Sequence, residues 1–231
     1  QSRAHKCTLT QFITALYFES IQEYILGLEK KKRARSGHTK ANIAINVPVD
    51  LRAFFQSKTL RNFFISLNPA IDMQLGVYSL EEIIDQIKGY MGLYINQKNI
   101  NRYVSRNVRN EELMVLRMIP LWVKRVIMPI VYKRYGERSY TSSVSNLGSI
   151  WMPEEVRDRI TGFEIFPPPS AGNKLKIVMA SYGDKLYISF GKTTGEKDIE
   201  RIFFRKLRKL GIPVRIEGNQ INYYEVEKED A

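Results

Sequence analysis

The stretch Val47-Pro48-Val49-Asp50-Leu51-Arg52 decides how the first strand of this chain ends. It follows Ala41-Asn-Ile-Ala-Ile-Asn, where apolar and polar residues alternate with a period of two, the pattern of a half-buried strand. Pro48 has no backbone N–H, so we predict that it stops donation to the ladder at the end of this strand. A partly desolvated guanidinium such as that of Arg52 requires a carboxylate partner. Asp50, two residues earlier, is the nearest candidate.

Capping motifs predict two long helices on either side of this strand. Thr8-Leu-Thr-Gln11 has the form of a capping box and precedes a long amphipathic pattern that runs into a basic segment. Ser79-Leu-Glu-Glu82 has the same form and opens a helix that is predicted to continue to about Asn110.

The remaining elements are shorter. A helical pattern over 114–135 contains Pro120 and Pro129, so we predict that this helix is broken or kinked. Further patterns predict strands at 62–68, 140–146, 160–166, 175–182 and 185–190, a helix at 196–210, and a hairpin formed by 214–217 and 221–226.

This order of elements is typical of an α+β protein. We predict one domain over residues 1–231, a mixed α/β two-layer sandwich in which long helices pack on a mixed sheet. The stretch 218–231 is expected to form the end of the terminal hairpin and a tail.

Composition limits the class of protein. Hydrophobic residues make up 44% of the chain, enough to bury a substantial core. The single cysteine, Cys7, excludes a disulfide framework or a cysteine-based zinc site within the chain, and it fits a reducing, cytoplasmic setting. No apolar stretch reaches the ~20 residues that a transmembrane helix needs, and there is no secretory signal.

The net charge of +12 raises the question of an anionic partner. The basic residues cluster at 29–35, 102–138 and 201–209. A solvated helix face, a site for an acyl carrier or phosphate-bearing cofactor, and a nucleic-acid surface all remain open. Nucleic acid is disfavoured because no aromatic RNP-type strand and no zinc-finger spacing is present.

The chain carries no catalytic motif that is complete in itself. Its two histidines, His5 and His38, do not lie near a carboxylate at helical spacing, and no HxxxD, HExxH, GxSxG or phosphate-loop sequence occurs. The carboxylate pairs are adjacent residues of predicted helices, whose side chains point in different directions. We therefore expect neither a catalytic residue nor a metal site in this chain.

A polar segment, Thr141-Ser-Ser-Val-Ser-Asn-Leu-Gly148, departs from the surrounding patterns. Four hydroxyl-bearing side chains and an amide in a strand-like segment are costly to bury unless they find hydrogen-bond partners. The segment is either a turn-rich surface strand or a row of hydrogen-bonding groups that lines a substrate channel.

Together, the VPVDLR stretch, the TLRNF segment ten residues on, and the YTSSVSNLGSIWMP segment resemble a known family. The pattern is similar to the C-terminal half of the chloramphenicol-acetyltransferase-like superfamily. Within it, the alcohol acetyltransferases, the wax-ester-synthase-like enzymes and the condensation domains of nonribosomal peptide synthetases are the nearest in pattern. The resemblance spans about residues 8–216, and its SNLG form favours the free-standing acetyltransferases over condensation domains, which have DFGWG.

The resemblance implies an incomplete active site. In that superfamily two related halves enclose a channel, and the general base is the second His of an HHxxxDG motif in the N-terminal half, which this chain lacks. Because the chain also begins at Gln1, we expect it to be the C-terminal half of a longer polypeptide. Arg52 aligns with the arginine that pairs with the motif Asp. The resemblance makes Ser143, Ser145, Asn146 and Asn62 candidate substrate-binding residues.

The implied partners are the N-terminal half of the same polypeptide, an acyl-CoA or acyl-carrier donor, and a small alcohol or amine acceptor. No tightly bound cofactor is expected, and coenzyme A thioester would be a co-substrate. The uncovered face could also support a homodimer. Two alternatives stay open: a condensation-domain-like N-acyltransferase half, and a non-catalytic binding or scaffolding module that keeps the fold without the chemistry.

Overall fold

A computed structural model describes residues 1–32, 42–112, 118–135, 139–170 and 172–218 of the chain. The described elements, in chain order, are α1 (Leu9–Lys32), β1 (Asn42–Asp50), α2 (Arg52–Phe55), β2 (Phe64–Leu67), β3 (Ala70–Asp72), a 3₁₀ turn (Met73–Leu75), α3 (Leu80–Tyr94), α4 (Gln97–Glu112), α5 (Leu121–Tyr135), β4 (Ser142–Ser149), α6 (Glu154–Arg157), β5 (Leu175–Tyr182), β6 (Lys185–Lys192) and α7 (Asp198–Lys209).

The strands within these ranges form one mixed sheet in the order β2-β1-β4-β5-β6, and β3 also pairs with β1. The pairs β1–β4 and β4–β5 are parallel, whereas β1–β2, β1–β3 and β5–β6 are antiparallel. Helices α1, α3 and α7 contribute buried side chains to one core with the sheet. The predicted α+β class, with a mixed sheet and helices, is therefore confirmed.

Both predicted capping boxes are present. Gln11 and Thr8 bond reciprocally at the start of α1, as do Ser79 and Glu82 at the start of α3.

Helix α1 is the centre of the core. The prediction that α1 is amphipathic fails over residues 12–18, all of which are buried. The reason is that α1 packs against β1, α3 and α7 at once, so this stretch has no solvent side.

The predicted helix from Ser79 to Asn110 is wrong in its continuity. It divides into α3 and α4 around Asn96, whose Oδ1 accepts a hydrogen bond from the backbone N–H of Asn99 at 2.9 Å. The Nδ2 groups of both asparagines donate to the carbonyl of Leu93. Asn96 thus caps the start of α4 and, with Asn99, the end of α3, the positions that asparagine prefers over a helix interior.

Helix α5 runs without a break through Pro129. The predicted break lies instead at Pro120, whose carbonyl accepts hydrogen bonds from the backbone N–H groups of Val123 and Lys124 at the helix start. A proline just before the first turn removes no bond that the helix would otherwise form.

Two predicted strands are absent. Residues 160–166 have no strand structure and lead into Pro167, whose carbonyl lies against Gly191 of β6. Three prolines at 167–169 cannot donate to a ladder, and the segment lies against β6 without joining the sheet. Residues 214–217 are also irregular, and 221–226, the second strand of the predicted hairpin, lies outside the described residues, as does the tail beyond Gly218.

No helix in the described ranges has both the length and the apolar character needed to cross a membrane.

Candidate functional site

The pairing of β1 with β4 ends just before Pro48. The backbone N–H groups of Ile45 and Leu51 donate away from β4, to the carbonyls of Pro69 and Phe63, so the nitrogen of Pro48 faces β4. Paired residues between β1 and β4 are limited to Ile45–Ser142 and Asn46–Ser143. The proline therefore ends the pairing with β4, as its missing N–H predicts, but it does not end β1, which continues to Asp50 alongside β2.

The polar segment 141–148 forms β4, and its side chains divide between two faces of the sheet. On the helix side, the Ser142 hydroxyl is 2.7 Å from the Tyr17 hydroxyl and donates to the carbonyl of Leu175. The buried environment raises the pKa of Tyr17, so its hydroxyl is neutral and can act in this hydrogen bond. These groups stabilise the core and are not available to a ligand.

Asn146 also lies on the helix side. Its Nδ2 donates to the Thr10 hydroxyl at 2.9 Å, and its Oδ1 accepts from the backbone N–H of Gly148 at 2.8 Å. Gly148 has φ +76°, and the register between β4 and β5 shifts at this point. Asn146 therefore stabilises an irregularity of β4, and the structure does not bring it together with the two serines.

The opposite face of the sheet carries half-buried polar side chains. By strand alternation, Ser143 and Ser145 point to this face, and the register sets Asn46 on one side of Ser143 and Lys176 on the other. We call these four residues the polar face. Asn46 donates to Asn68 at 2.8 Å, whereas the hydroxyls of Ser143 and Ser145 bond to no other described residue.

Lys176 is the residue of this face that the sequence analysis missed. It is half-buried, and no carboxylate in the described part of the chain lies within ion-pair distance of its ammonium group. Its place beside Ser143 depends on the pairing of β5 with β4, so no local signal in the sequence could have found it. On the far side of Lys176, the segment ending in Pro167 covers Gly191, so the polar face is bounded there.

Arg52 lies beyond the carboxyl end of β1, where it holds the following loop. Its Nη1 donates to Asp50 at 2.8 Å, its Nε to the carbonyl of Thr59 at 3.0 Å, and its Nη2 to the carbonyl of Arg61 at 2.7 Å. The predicted pairing with Asp50 is thus present, with 37% of the Arg52 side chain exposed. A guanidinium has five N–H donors, so one on each terminal nitrogen is left for a further acceptor.

Asn62 is exposed in the same loop, just before β2, and its side chain bonds to no other described residue. It lies at the carboxyl edge near Arg52 and not on the polar face. Several large apolar side chains on the segments around this edge are also exposed: Phe55, Leu60, Phe64, Leu147 and Trp151. We call these five residues the edge patch.

Two cavities lie away from the polar face. An apolar cavity of about 290 Å³ lies between α1, α3 and β3, lined by Phe18, Ile71 and Tyr90 among others. A groove of about 670 Å³ separates α1 from α7, where Lys206 bridges Glu19 and Glu23 at 3.1 and 2.8 Å. Burial lowers the pKa of Lys206, but hydrogen bonds to the two carboxylates outweigh burial and raise it overall. Neither space includes a residue of the polar face.

Much of the basic cluster at 201–209 forms a solvated face of α7, with Arg201, Arg205, Arg208 and Lys209 exposed. Within the described ranges, no group of three or more His, Cys, Asp or Glu side chains is placed to hold a metal ion. No protein-family model matches the chain, and no curated protein matches it either.

Proposed function

We propose that the chain is the C-terminal half of an acyl-CoA-dependent O-acyltransferase and forms one wall of its substrate channel. The observation that carries this proposal is the polar face, which lies where Pro48 ends the pairing of β1 with β4. Two serine hydroxyls and an ammonium group, none of them bonded to another described residue, lie side by side on one face of the sheet. Such a surface fits a substrate that has both a polar acyl group and negative charge.

The proposed chemistry is transfer of an acyl group from a thioester to an alcohol. A histidine of the N-terminal half would remove the proton of the acceptor hydroxyl, whose oxygen then attacks the thioester carbonyl carbon. When the tetrahedral intermediate collapses, the carbon–sulfur bond breaks, the thiolate of coenzyme A leaves, and the histidine returns the proton to that sulfur. Ser143 and Ser145 would donate hydrogen bonds to the acyl oxygen as its negative charge develops.

Lys176 would attract the negatively charged phosphates of coenzyme A. The residue is half-buried and its ammonium group has no ion-pair partner among the described residues, so a bound anion would not have to displace a carboxylate. This assigns one basic residue to the donor, where the sequence alone distinguishes none of the 36.

Arg52 would position the other half of the site without touching substrate. The free N–H groups of its terminal nitrogens can bind one more carboxylate, such as the motif Asp of the N-terminal half. The edge patch adds exposed apolar side chains on the segments at the same edge of the sheet, the type of surface that a docked domain covers.

The test uses the polypeptide that carries this chain together with its N-terminal half, with release of the coenzyme A thiol as the readout. Lys176→Ala is expected to raise the KM for acetyl-CoA roughly tenfold with little change in kcat. The reason is that the lost contact would stabilise the bound substrate and the transition state equally. Lys185→Ala, which removes an exposed lysine at the turn of the β5–β6 hairpin, is the matched control.

Ser145→Ala is expected to lower kcat, since the proposed hydrogen bond strengthens as the oxyanion forms. If Lys176→Ala matches Lys185→Ala in KM, and Ser145→Ala matches the unaltered protein in kcat, the polar face is not the channel wall. If no thiol is released by the polypeptide with its HHxxxDG motif intact, the chain belongs to a binding or scaffolding protein instead.

A further inference from the structure

Helix α5 exposes an apolar surface that the proposed function does not use. Among the first twelve residues of the helix, eight large apolar side chains are exposed: Leu121, Trp122, Val126, Ile127, Met128, Ile130, Val131 and Tyr132. Met118, just before the helix, is 76% exposed as well. A helix of a water-soluble domain normally turns most such residues toward a core.

The exposed apolar residues of α5 do not form one narrow stripe. Val126 to Met128 and Ile130 to Tyr132 are two runs of three consecutive exposed residues. Since each helical residue advances by roughly 100°, three in a row span roughly 200° of the circumference. Most of the helix perimeter is therefore apolar and faces solvent, which indicates an apolar medium as its partner.

The charge of this region is strongly and locally positive. Helix α5 contains four basic residues and no acidic residue, and residues 97–135 contain nine basic against two acidic residues, a net charge of +7 out of +12 for the chain. Arg125 is exposed and Lys124 half-buried on α5 itself. A second copy would bring the same charge and be repelled, whereas an anionic surface would be attracted.

The combination of apolar, aromatic and basic residues fits a lipid surface better than a nucleic acid, whose phosphates offer nothing to bury eight apolar side chains. Trp122 and Tyr132 are of the residue types that favour the level of lipid headgroups. The 15 residues of α5 measure roughly 22 Å, shorter than the hydrocarbon core of a bilayer, so α5 would lie in the headgroup region and not cross it.

We propose that α5 docks this protein onto the surface of anionic phospholipid bilayers, with its apolar side chains among the acyl chains and its basic side chains against lipid phosphates. This inference does not rest on the proposed acyltransferase activity, because α5 contains none of the residues of the polar face.

The test is co-sedimentation of the 231-residue chain with vesicles of phosphatidylcholine alone and of a phosphatidylcholine–phosphatidylglycerol mixture. The chain is expected to sediment with the mixed vesicles, and binding should weaken as salt is added. Lys124→Gln/Arg125→Gln should lower the partition coefficient roughly 30-fold, because each basic residue near an anionic surface contributes about a fivefold effect.

A second variant tests the apolar contribution. Trp122→Glu/Ile130→Glu should reduce partitioning at least roughly tenfold, because it exchanges two membrane-inserted side chains for charged ones. Leu75→Glu is the matched control: it alters an 80%-exposed leucine of the 3₁₀ turn and should leave partitioning unchanged. Circular dichroism verifies that each variant keeps its helix content.

Fluorescence gives an independent readout. The chain has two tryptophans, so Trp151→Phe leaves Trp122 as the sole emitter, and its emission should shift to shorter wavelength on mixed vesicles. The inference is overturned if there is no shift and no co-sedimentation, or if Trp122→Glu/Ile130→Glu binds like Leu75→Glu. Binding of duplex DNA without vesicle binding would assign the region to nucleic acid. Lipid-free self-association that Trp122→Glu/Ile130→Glu abolishes, without vesicle binding, would assign α5 to a second copy.

Discussion

The side chain of Arg52 holds a loop in place and still has N–H donors for a further carboxylate. Asp50 occupies one of its N–H groups, and two backbone carbonyls of the loop occupy two more. The carboxylate two residues away could be predicted from the sequence, because spacing in the chain suffices for that. The two carbonyls could not be predicted, since they come from a loop whose path depends on the pairing of β1 with β2.

Replacing Arg52 by Ala is expected to lower the free energy of unfolding by about 1–2 kcal/mol, because two backbone carbonyls lose a charged donor that is partly shielded from water. Asp50→Asn should cost less than about 1 kcal/mol, since the ion pair itself is solvent-exposed. Urea denaturation of the chain measures both values.

Arg61→Ala is the control for this loop, because Arg61 contributes its carbonyl and not its side chain to the Arg52 contacts. It should stay within about 0.5 kcal/mol of the unaltered chain. Equal values for Arg52→Ala and Arg61→Ala would mean that the guanidinium does not hold the loop.

Gly191 is a second residue with a defined structural requirement. A Cβ at this position would lie 1.8 Å from the carbonyl oxygen of Pro167, a backbone atom that cannot rotate away. Gly191→Ala should therefore cost about 3 kcal/mol, as the segment over the sheet must shift. Gly92→Ala is the contrast: it meets nothing within 4 Å on α3 and should stabilise the chain by about 0.5–1 kcal/mol. The midpoint temperature of thermal unfolding is expected to fall for Gly191→Ala and to rise for Gly92→Ala.

At the scale of elements, the sequence predicts the features that depend on residues close together in the chain. It fails for features that depend on packing between distant segments. Both capping boxes and the strands β5 and β6 were predicted, because the donors and acceptors of each box and the residues of each strand pattern are close in the chain. Residues 160–166 have the alternation of a strand, yet no strand forms. Whether an extended segment pairs with a strand or only lies against the sheet depends on prolines and neighbouring strands outside the segment.

The start of α3 gives a pH-dependent prediction. Hydrogen bonds from the backbone N–H and the hydroxyl of Ser79 lower the pKa of Glu82, because they favour the charged carboxylate. A carboxyl group whose pKa is lower in the folded chain stabilises the fold above its unfolded pKa, and this stabilisation is lost as the pH falls through the folded pKa. The stability difference between the unaltered chain and Glu82→Ala should therefore shrink from pH 7 to roughly pH 3.

Glu81→Ala is the matched control for this pH series. Glu81 lies in the same first turn but forms no part of the capping box. Its stability difference from the unaltered chain should depend less on pH than that of Glu82→Ala. Urea midpoints at several pH values decide the matter, and parallel curves for the two variants would contradict the role given to Glu82.

At the scale of the whole molecule, the mixed α+β architecture could be predicted from the order of elements, whereas the site could be predicted only in part. Ser143 and Ser145 are on the polar face, but Asn146, the residue directly after Ser145, is on the other face of the strand and bonds toward the helix layer. Asn46 and Lys176 join the serines through strand order and register, which no local pattern in the sequence reveals. The three strands concerned are far apart in the chain, so their pairing is a property of the fold alone.

Acyl transfer by a polypeptide that joins this chain to the proposed N-terminal half tests the central claim most directly. Thiol release from acetyl-CoA in the presence of a short-chain alcohol should be equal for the unaltered protein and Arg61→Ala. It should be roughly tenfold to 100-fold slower for Arg52→Ala, the range typical of a residue that orients a catalytic group. Product analysis should find the acetyl ester. No ester from the unaltered protein, or an Arg52→Ala rate equal to that of Arg61→Ala, would contradict the account.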